Sequence, residues 1–215
     1  MRRQFEKKCT VVAAGDFDGF AQDELGFLIA ADGGLKYCIG EGKIPNLVIG
    51  DTDSLSEKNY ADLLRLCPYA EVIKLPCEKD DTDTLAALSV GISRGFDYFE
   101  IYGGLGGKRL DHTLANLQCL SFLQNRGVKG VLISRTDRIS LITDETVMIP
   151  NEGQEYLSVF AYGGEAQGVS IKGTEYGVEN AVLTPGFPLG ISNHIVATDA
   201  VITVEKGSLL ILEHR

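Results

Sequence analysis

Residues 98–117 read YFEIYGGLGGKRLDHTLANL and contain the clearest strand–loop–helix pattern in the chain. Its first five residues are mostly apolar and β-prone, as in a buried strand, and a glycine-rich loop follows them. Leu110, Leu114 and Leu117 then recur at helical spacing, which predicts a helix directly after the loop. A glycine loop that leads into a helix N-terminus binds anions, because backbone N–H groups and the helix dipole face the ligand. The alternative is a flexible loop with solvated charges.

The loop carries the groups that a phosphate needs. The glycines Gly103, Gly104, Gly106 and Gly107 let the backbone approach a ligand closely. Lys108 adds positive charge, and the Arg109 guanidinium binds phosphate oxygens in a bidentate manner.

Upstream of this loop, short β-rich runs alternate with helical patterns. The runs cover residues 9–14, 27–31, 47–49, 71–75, 98–102 and 128–134. A capping box at residues 54–57 predicts one helix between them, and Thr82 or Asp81 is the predicted cap of another that ends near Gly95. Repeated βα units predict a doubly wound, mostly parallel sheet over residues 1–137.

The pattern changes after residue 138 to short β-prone runs without helices. These cover residues 138–142, 146–149, 156–162, 168–171, 194–198, 200–204 and 208–212, with turn residues between them. Regular short strands of this kind predict an antiparallel β-sandwich or barrel. We therefore expect an α/β domain over residues 1–137 and an all-β domain, most simply a sandwich, over residues 138–215.

Composition excludes several classes of protein. The 215 residues carry a formal net charge of −10, which argues against general nucleic-acid binding. No run of about 18 apolar residues predicts a transmembrane helix, and the N-terminus lacks the apolar core of a signal peptide. The five cysteines are scattered without Cys-x-x-Cys spacing, so buried thiols in a reducing cytoplasm are expected.

Acidic residues gather where predicted strands end. Asp32, Asp51 and Asp53 each follow a strand, and the group Asp80, Asp81 and Asp83 opens a helix. In an open α/β sheet that edge binds ligands. Carboxylates brought together there repel one another unless a divalent ion lies between them, and all-oxygen ligands favour Mg²⁺. Taken singly, each cluster has the alternative interpretation of a helix cap or a solvated turn.

These residues together resemble the thiamine pyrophosphokinase family. The matching segments cover residues 31–34, 45–54, 78–83 and 103–116, with a weaker match at residues 173–176 and 190–193. They run in family order over most of the chain. The resemblance implies a Mg²⁺-dependent transfer of pyrophosphate from ATP to the hydroxyl of thiamine, which gives thiamine diphosphate and AMP.

The resemblance also implies roles for individual residues. The metal-binding carboxylates would be Asp51, Asp53, Asp80 and Asp83, and the catalytic set would be Asp51, Asp53, Asp83 and Asp111. ATP phosphates would contact Asp32, Gly33, Lys79, Arg109 and the glycines Gly103, Gly104, Gly106 and Gly107. Thiamine would contact Asp111, His112, Ser192 and Asn193. The family is dimeric, with its active site between the α/β domain of one subunit and the β domain of the other.

Two features depart from the family pattern. Asn46 stands where the family often has Asp, and the chain has no Trp to stack on thiamine, so Tyr176 is a candidate for stacking. Two other functions stay open from the residues alone: a metal-dependent phosphohydrolase that uses water as nucleophile, and a nucleotide- or thiamine-binding module without catalysis. His112 is either a proton acceptor or a residue that orients the loop.

Overall fold

A computed structural model of the chain describes residues 7–51, 62, 64–76 and 81–215. It divides into two compact units, Met1–Arg135 and Thr136–Arg215. The predicted capping box at residues 54–57 lies outside the described residues.

The first unit contains a parallel sheet. Its strands are β1 (Lys8–Val12), β2 (Phe27–Ala31), β3 (Leu47–Gly50), β4 (Glu71–Lys74), β5 (Tyr98–Tyr102) and β6 (Lys129–Ile133). They lie in the order β4-β3-β2-β1-β5-β6, and every neighbouring pair is parallel. The direction of winding reverses between β1 and β5, so the loops that follow these two strands flank the topological switch point where ligands bind in such sheets.

Helices cover both faces of this sheet. Among the described residues they include α1 (Gly34–Gly40), α2 (Asp83–Ser93) and α3 (Leu110–Gln124). Buried Leu35 of α1 packs with Val12 and Ala30 on one face. On the other face α2 approaches closely, because a Cβ at Gly91 would lie 2.5 Å from the Phe99 ring. The predicted doubly wound domain is therefore confirmed.

The second unit is built from antiparallel strands. They are β7 (Asp137–Thr143), β8 (Thr146–Pro150), β9 (Tyr156–Lys172), β10 (Val178–Leu183), β11 (Gly190–Asn193), β12 (Asp199–Thr203) and β13 (Lys206–His214). The first half of β9 pairs with β11 and β13, and its second half pairs with β10 and β12. A shared apolar core includes Val159 and Ile211 from the first group of strands and Val169 and Ile202 from the second. The predicted β-sandwich is confirmed.

Several predicted strand boundaries in this unit are wrong. The runs at residues 156–162 and 168–171 form one 17-residue strand, because the glycines at residues 163 and 164 lie within it rather than at a turn. Residues 194–198 form no strand and make one isolated bridge, from Ile195 to Thr174. Strands β10 and β11 were not predicted. Exposed and buried positions do not alternate regularly along either strand, so the period-two pattern that indicates a strand is weak.

Among the described residues, no helix has the length and apolar character needed to cross a membrane.

Candidate functional site

A cavity of about 600 Å³ opens at the carboxyl edge of the parallel sheet, within the first unit. The segments that follow β1, β2 and β5 line it, together with the N-terminal turns of α2 and α3. The lining side chains that bear charge are Asp16, Asp32, Lys36, Asp81, Asp83, Lys108, Arg109 and His112 when protonated. Four acidic and three permanently basic groups therefore face one space, which suits a ligand that carries both phosphates and a metal ion.

Three carboxylates converge at this edge. Asp32, Asp51 and Asp83 each offer an oxygen, and the three oxygens lie within 4.8 Å of one another at half-buried positions. Asp32 follows β2 with a left-handed φ of 48°, a conformation that Asp tolerates better than most residues, and its N–H donates to the Ile49 carbonyl at 2.8 Å. The chemistry of this donor set fits a hard divalent cation.

The third carboxylate sits at the start of α2, whose N-terminus is capped. The Thr82 hydroxyl accepts a hydrogen bond from the Leu85 N–H at 3.2 Å, and Asp83 occupies the first turn. The helix dipole favours a negative charge at that position. The cap thus begins α2 at Asp83, whose carboxylate lies with those of Asp32, directly after β2, and Asp51, directly after β3.

The glycine loop after β5 is held by side chains on both sides. Asn116, which is 6% exposed in α3, donates through Nδ2 to the Gly104 carbonyl at 2.9 Å. The Thr113 hydroxyl donates to the Gly106 carbonyl at 3.2 Å. From the other side, Asp16 Oδ2 accepts from the Gly107 N–H at 2.7 Å. Three side-chain hydrogen bonds therefore restrain the backbone of the loop.

Arg109 and Asp111 form an exposed ion pair at the start of α3. Arg109 Nε lies 3.2 Å from Asp111 Oδ1, and Arg109 Nη2 lies 2.5 Å from Asp111 Oδ2. The Arg109 side-chain hydrogen bond lowers the pKa of the Asp111 carboxyl below its usual range, and the same contact raises the pKa of Arg109. Asp111 is thus an ionised hydrogen-bond acceptor at neutral pH. It lies outside the lining of the cavity, whereas Arg109 and His112 line it.

The remaining predicted residues of the first unit are placed as follows. Gly104, Gly106 and Gly107 line the cavity, while the Gly103 carbonyl accepts from the Gly15 N–H at 2.9 Å. Gly33 is buried and directly precedes α1. Asp53, Lys79 and Asp80 lie outside the described residues.

In the second unit, the predicted thiamine contacts lie at the end of β11. Asn193 is 6% exposed, and its carboxamide is engaged with the backbone of Tyr176: Nδ2 donates to the carbonyl at 2.7 Å and Oδ1 accepts from the N–H at 3.0 Å. Ser192 is exposed with a φ of 56°, and its N–H donates to the Ser158 hydroxyl at 3.0 Å. Tyr176 is 64% exposed. Asn193 thus fixes the turn that presents Tyr176.

The sequence placed Asp32 with Asp51 at the strand ends and assigned it to the ATP phosphates, and its carboxylate lies with those of Asp51 and Asp83. Sequence reasoning missed two other residues of the site. Asp16 and Asn116 hold the glycine loop, yet neither was singled out. Asp16 follows the first strand as Asp32 follows the second, so its position at a strand end was an available signal. The role of Asn116 had no such signal, because it depends on the contact of α3 with the loop.

Fold and site together define a two-unit protein with a candidate site for a metal and a polyphosphate at the switch point of a doubly wound sheet. The family model of the thiamin pyrophosphokinase catalytic domain matches residues 21–132. The model of the thiamin pyrophosphokinase vitamin B1 binding domain matches residues 145–209. The chain belongs to the thiamin pyrophosphokinase family.

Individual relatives agree with this assignment. The chain is 28% identical to thiamine pyrophosphokinase of Bacillus subtilis over 213 residues, which cover 96% of this chain and 98% of the relative. The crystal structure of the Bacillus subtilis enzyme superposes with a TM-score of 0.89 at 27% identity, covering 97% of this chain and 99% of that one. The yeast thiamin pyrophosphokinase structure shares the fold, with a TM-score of 0.77 at 16% identity over 99% of this chain and 87% of the yeast chain. These similarities do not favour a phosphohydrolase or a binding module without catalysis.

Proposed function

We propose that this chain transfers the pyrophosphoryl group of ATP to the hydroxyl of thiamine and releases thiamine diphosphate and AMP. The main support for this proposal is the set of residues that line one cavity. The carboxylates of Asp32 and Asp83 line the same cavity as the glycine loop and Arg109. A polyphosphate bound by the loop would therefore have a divalent ion within reach on one side and a guanidinium on the other.

Magnesium is the proposed metal, and Asp32, Asp51 and Asp83 would hold it, with Asp53 and Asp80 as further candidates outside the described residues. Their oxygens are the ligands that Mg²⁺ prefers. When bound, Mg²⁺ neutralises charge on the phosphate oxygens that develops during transfer. A chain with a net charge of −10 needs such a cation to bring a polyphosphate to a carboxylate cluster.

The residues around the cavity would position the phosphate chain. Lys108 and Arg109 line the cavity, and the ion pair with Asp111 restrains the Arg109 guanidinium. Phosphoryl-type transfer depends chiefly on alignment and charge neutralisation, so holding the ATP phosphates in line with the attacking oxygen is the main task of these groups.

Asp111 is proposed to orient the thiamine hydroxyl by accepting its hydrogen bond. The lowered pKa keeps this carboxyl ionised and makes it a weak base, so orientation suits it better than removal of the proton. His112, which lines the cavity, is the alternative acceptor of that proton.

The thiamine ring would be bound by the second unit, through Ser192 and the exposed ring of Tyr176. We propose a homodimer in which each active site takes its α/β unit from one protomer and its β unit from the partner. We place the reaction in the cytoplasm, because the described cysteines Cys9, Cys38, Cys67 and Cys119 are all buried free thiols, as expected in a reducing compartment.

The test is a product assay. Protein, ATP and Mg²⁺ are incubated with and without thiamine, and AMP, ADP and thiamine diphosphate are separated by chromatography. Equal amounts of AMP and thiamine diphosphate that form only when thiamine is present support the proposal. Nucleotide hydrolysis at the same rate without thiamine would instead identify a phosphohydrolase, and ATP binding without any product would identify a binding module.

A further inference from the structure

The carboxylate of Asp16 joins the two loops that flank the switch point of the sheet. Asp16 follows β1, and its Oδ2 accepts a hydrogen bond from the Gly107 N–H in the loop after β5, at 2.7 Å. Backbone hydrogen bonds bring the same two loops together at their bases, from Ala13 N to Tyr102 O at 2.8 Å and from Gly15 N to Gly103 O at 2.9 Å. The side chain of Asp16 extends this pairing to the tip of the glycine loop.

The carboxylate also packs directly on the glycine turn. A Cβ built on Gly106 would lie 2.7 Å from Asp16 Oδ2, and Gly106 has a φ of +67°, in the left-handed region. A side chain at that position would displace the carboxylate. Gly106 has no side chain, and this leaves room for the Asp16 carboxylate, which accepts the hydrogen bond of the neighbouring Gly107 N–H.

We infer that Asp16 is a positioning residue for ATP, an inference that rests on the proposed function. Its carboxylate fixes the turn at Gly106 and Gly107 in the conformation that receives the phosphates. It also engages the Gly107 N–H, so the phosphates bind through the remaining groups of the loop and through Lys108 and Arg109, which line the same cavity.

The rival interpretation is that Asp16 competes with phosphate for the Gly107 N–H and thereby inhibits ATP binding. Positioning is favoured because the loop is restrained on its other side as well, by Thr113 at the Gly106 carbonyl and by Asn116 at the Gly104 carbonyl. A loop held from both sides is preorganised, and preorganisation raises affinity by lowering the entropy lost on binding.

Three variants separate the two interpretations. Asp16→Asn keeps an oxygen acceptor and removes the charge, whereas Asp16→Ala removes both. Asp18→Ala is the matched control, since Asp18 is an exposed carboxylate of the same loop that accepts from the Arg135 N–H at 2.9 Å and is not among the residues that line the cavity. Affinity for ATP with Mg²⁺ is measured by calorimetry without thiamine, and the KM values for ATP and thiamine are measured separately.

We expect Asp16→Ala to weaken ATP binding about tenfold, which corresponds to about 1.4 kcal/mol. Asp16→Asn should stay within about threefold of the wild-type affinity, because the hydrogen bond to Gly107 persists. Asp18→Ala should match the wild type, and the KM for thiamine should not change in any variant. If Asp16 served only to stabilise the fold, Asp16→Ala would lower the thermal midpoint of unfolding and would not affect ATP binding selectively over the KM for thiamine.

Tighter ATP binding in both Asp16 variants would establish competition and overturn the inference, as would wild-type affinity in Asp16→Ala. If Asp16→Ala does not fold, Asp16→Asn decides, because tighter binding in that variant contradicts positioning. ATP binding that weakens as expected in a protein that forms no thiamine diphosphate would refute the proposed function alone. A wild-type chain that does not bind ATP would refute both.

Discussion

The Asn116 carboxamide donates to the Gly104 carbonyl at 2.9 Å, and this hydrogen bond ties the second turn of α3 to the glycine loop. Asn116 is buried, so the bond forms away from water. The contact links the helix that begins beside Arg109 to the backbone that lines the cavity, and it makes the geometry of the loop depend on the packing of α3.

We expect Asn116→Ala to lower the free energy of unfolding by about 1–3 kcal/mol, because the buried Gly104 carbonyl loses its partner. The KM for ATP should rise as the loop loosens. Chemical denaturation and steady-state kinetics measure the two effects. Gln118→Ala, on the exposed side of the same helix, is the control and should change neither quantity. An unchanged KM for ATP in Asn116→Ala would show that the loop geometry does not depend on this bond.

Asp51→Asn should reduce turnover about 100-fold or more, since a loss of about 2.7 kcal/mol of charge stabilisation corresponds to that factor. The fold should survive, because the substitution preserves size at a half-buried position. Activity is measured over a range of Mg²⁺ concentrations, with Glu41→Gln, an exposed acid at the end of α1, as control. Wild-type activity of Asp51→Asn at limiting Mg²⁺ would remove Asp51 from the metal site.

Mg²⁺ should raise the thermal midpoint of the wild-type protein, since a ligand that binds only the folded state stabilises it. Oxygens of Asp32, Asp51 and Asp83 lie within 4.8 Å of one another, and a cation between them would offset their mutual repulsion. Asp32→Asn should shrink the Mg²⁺-induced shift and raise the midpoint measured in chelator, because one repulsive charge is gone. A full Mg²⁺ shift in Asp32→Asn would place the metal elsewhere.

Gly106→Ala should impair ATP binding beyond its cost to stability. Both Gly106, with a φ of +67°, and Gly127, with a φ of +70°, disfavour a side chain, and that strain costs about 1–3 kcal/mol. A Cβ at Gly127 meets nothing within 4 Å, whereas one at Gly106 meets Asp16. The two Ala variants should therefore lose comparable stability, and only Gly106→Ala should raise the KM for ATP. If the KM for ATP were the same in Gly106→Ala and Gly127→Ala, the contact of Gly106 with Asp16 would not contribute to ATP binding.

Ser192→Ala should raise the KM for thiamine more than the KM for ATP, because the hydroxyl is removed from the proposed vitamin site. Ser192 has a φ of 56°, so Ser192→Gly is the companion variant that removes the same hydroxyl and relieves backbone strain. The same rise in both variants identifies the hydroxyl as the cause. A rise confined to the KM for ATP would contradict the assignment of the second unit to thiamine.

His214 makes stability depend on pH through Asp137. Its Nδ1 lies 2.7 Å from Asp137 Oδ1, and this hydrogen bond raises the pKa of His214 above its ordinary value of 6.5. The folded state therefore binds the proton more tightly than the unfolded state. The stabilisation is complete below about pH 6.5 and is lost as the pH rises through the raised pKa.

Denaturation at a series of pH values measures this effect. His214→Gln should flatten the decline in unfolding free energy on the alkaline side of pH 6.5, and Asp137→Asn should do the same. The two substitutions together should give no further change, since each removes the same pair. A decline that persists in both single variants would assign the pH dependence to other groups.

Much of the fold could be predicted from local sequence. Apolar β-rich runs placed β1, β2, β3, β5 and β6, because buried strands need continuous apolar residues. Strand β4 was also predicted, although its residues are mostly exposed. Helix α3 begins at Leu110, as its leucine spacing predicted, and Thr82 caps α2 as expected. In the second unit the predicted strand boundaries were wrong where a strand contains glycines. Residues 163 and 164 were predicted to form a turn, whereas β9 continues through both glycines.

Local sequence patterns were enough to predict the class of fold, the family and the presence of a glycine loop and of carboxylates at strand ends. Which of these groups meet depends on how the segments pack in three dimensions. Asp32, Asp51 and Asp83 converge because the ends of β2 and β3 and the start of α2 meet at one edge of the sheet. Asp16 reaches Gly107 because β1 and β5 are neighbours across the switch point. The hydrophobic periodicity of a short stretch of sequence predicts each helix or strand. The distances between segments arise from the packing of the whole unit and cannot be read from any one stretch.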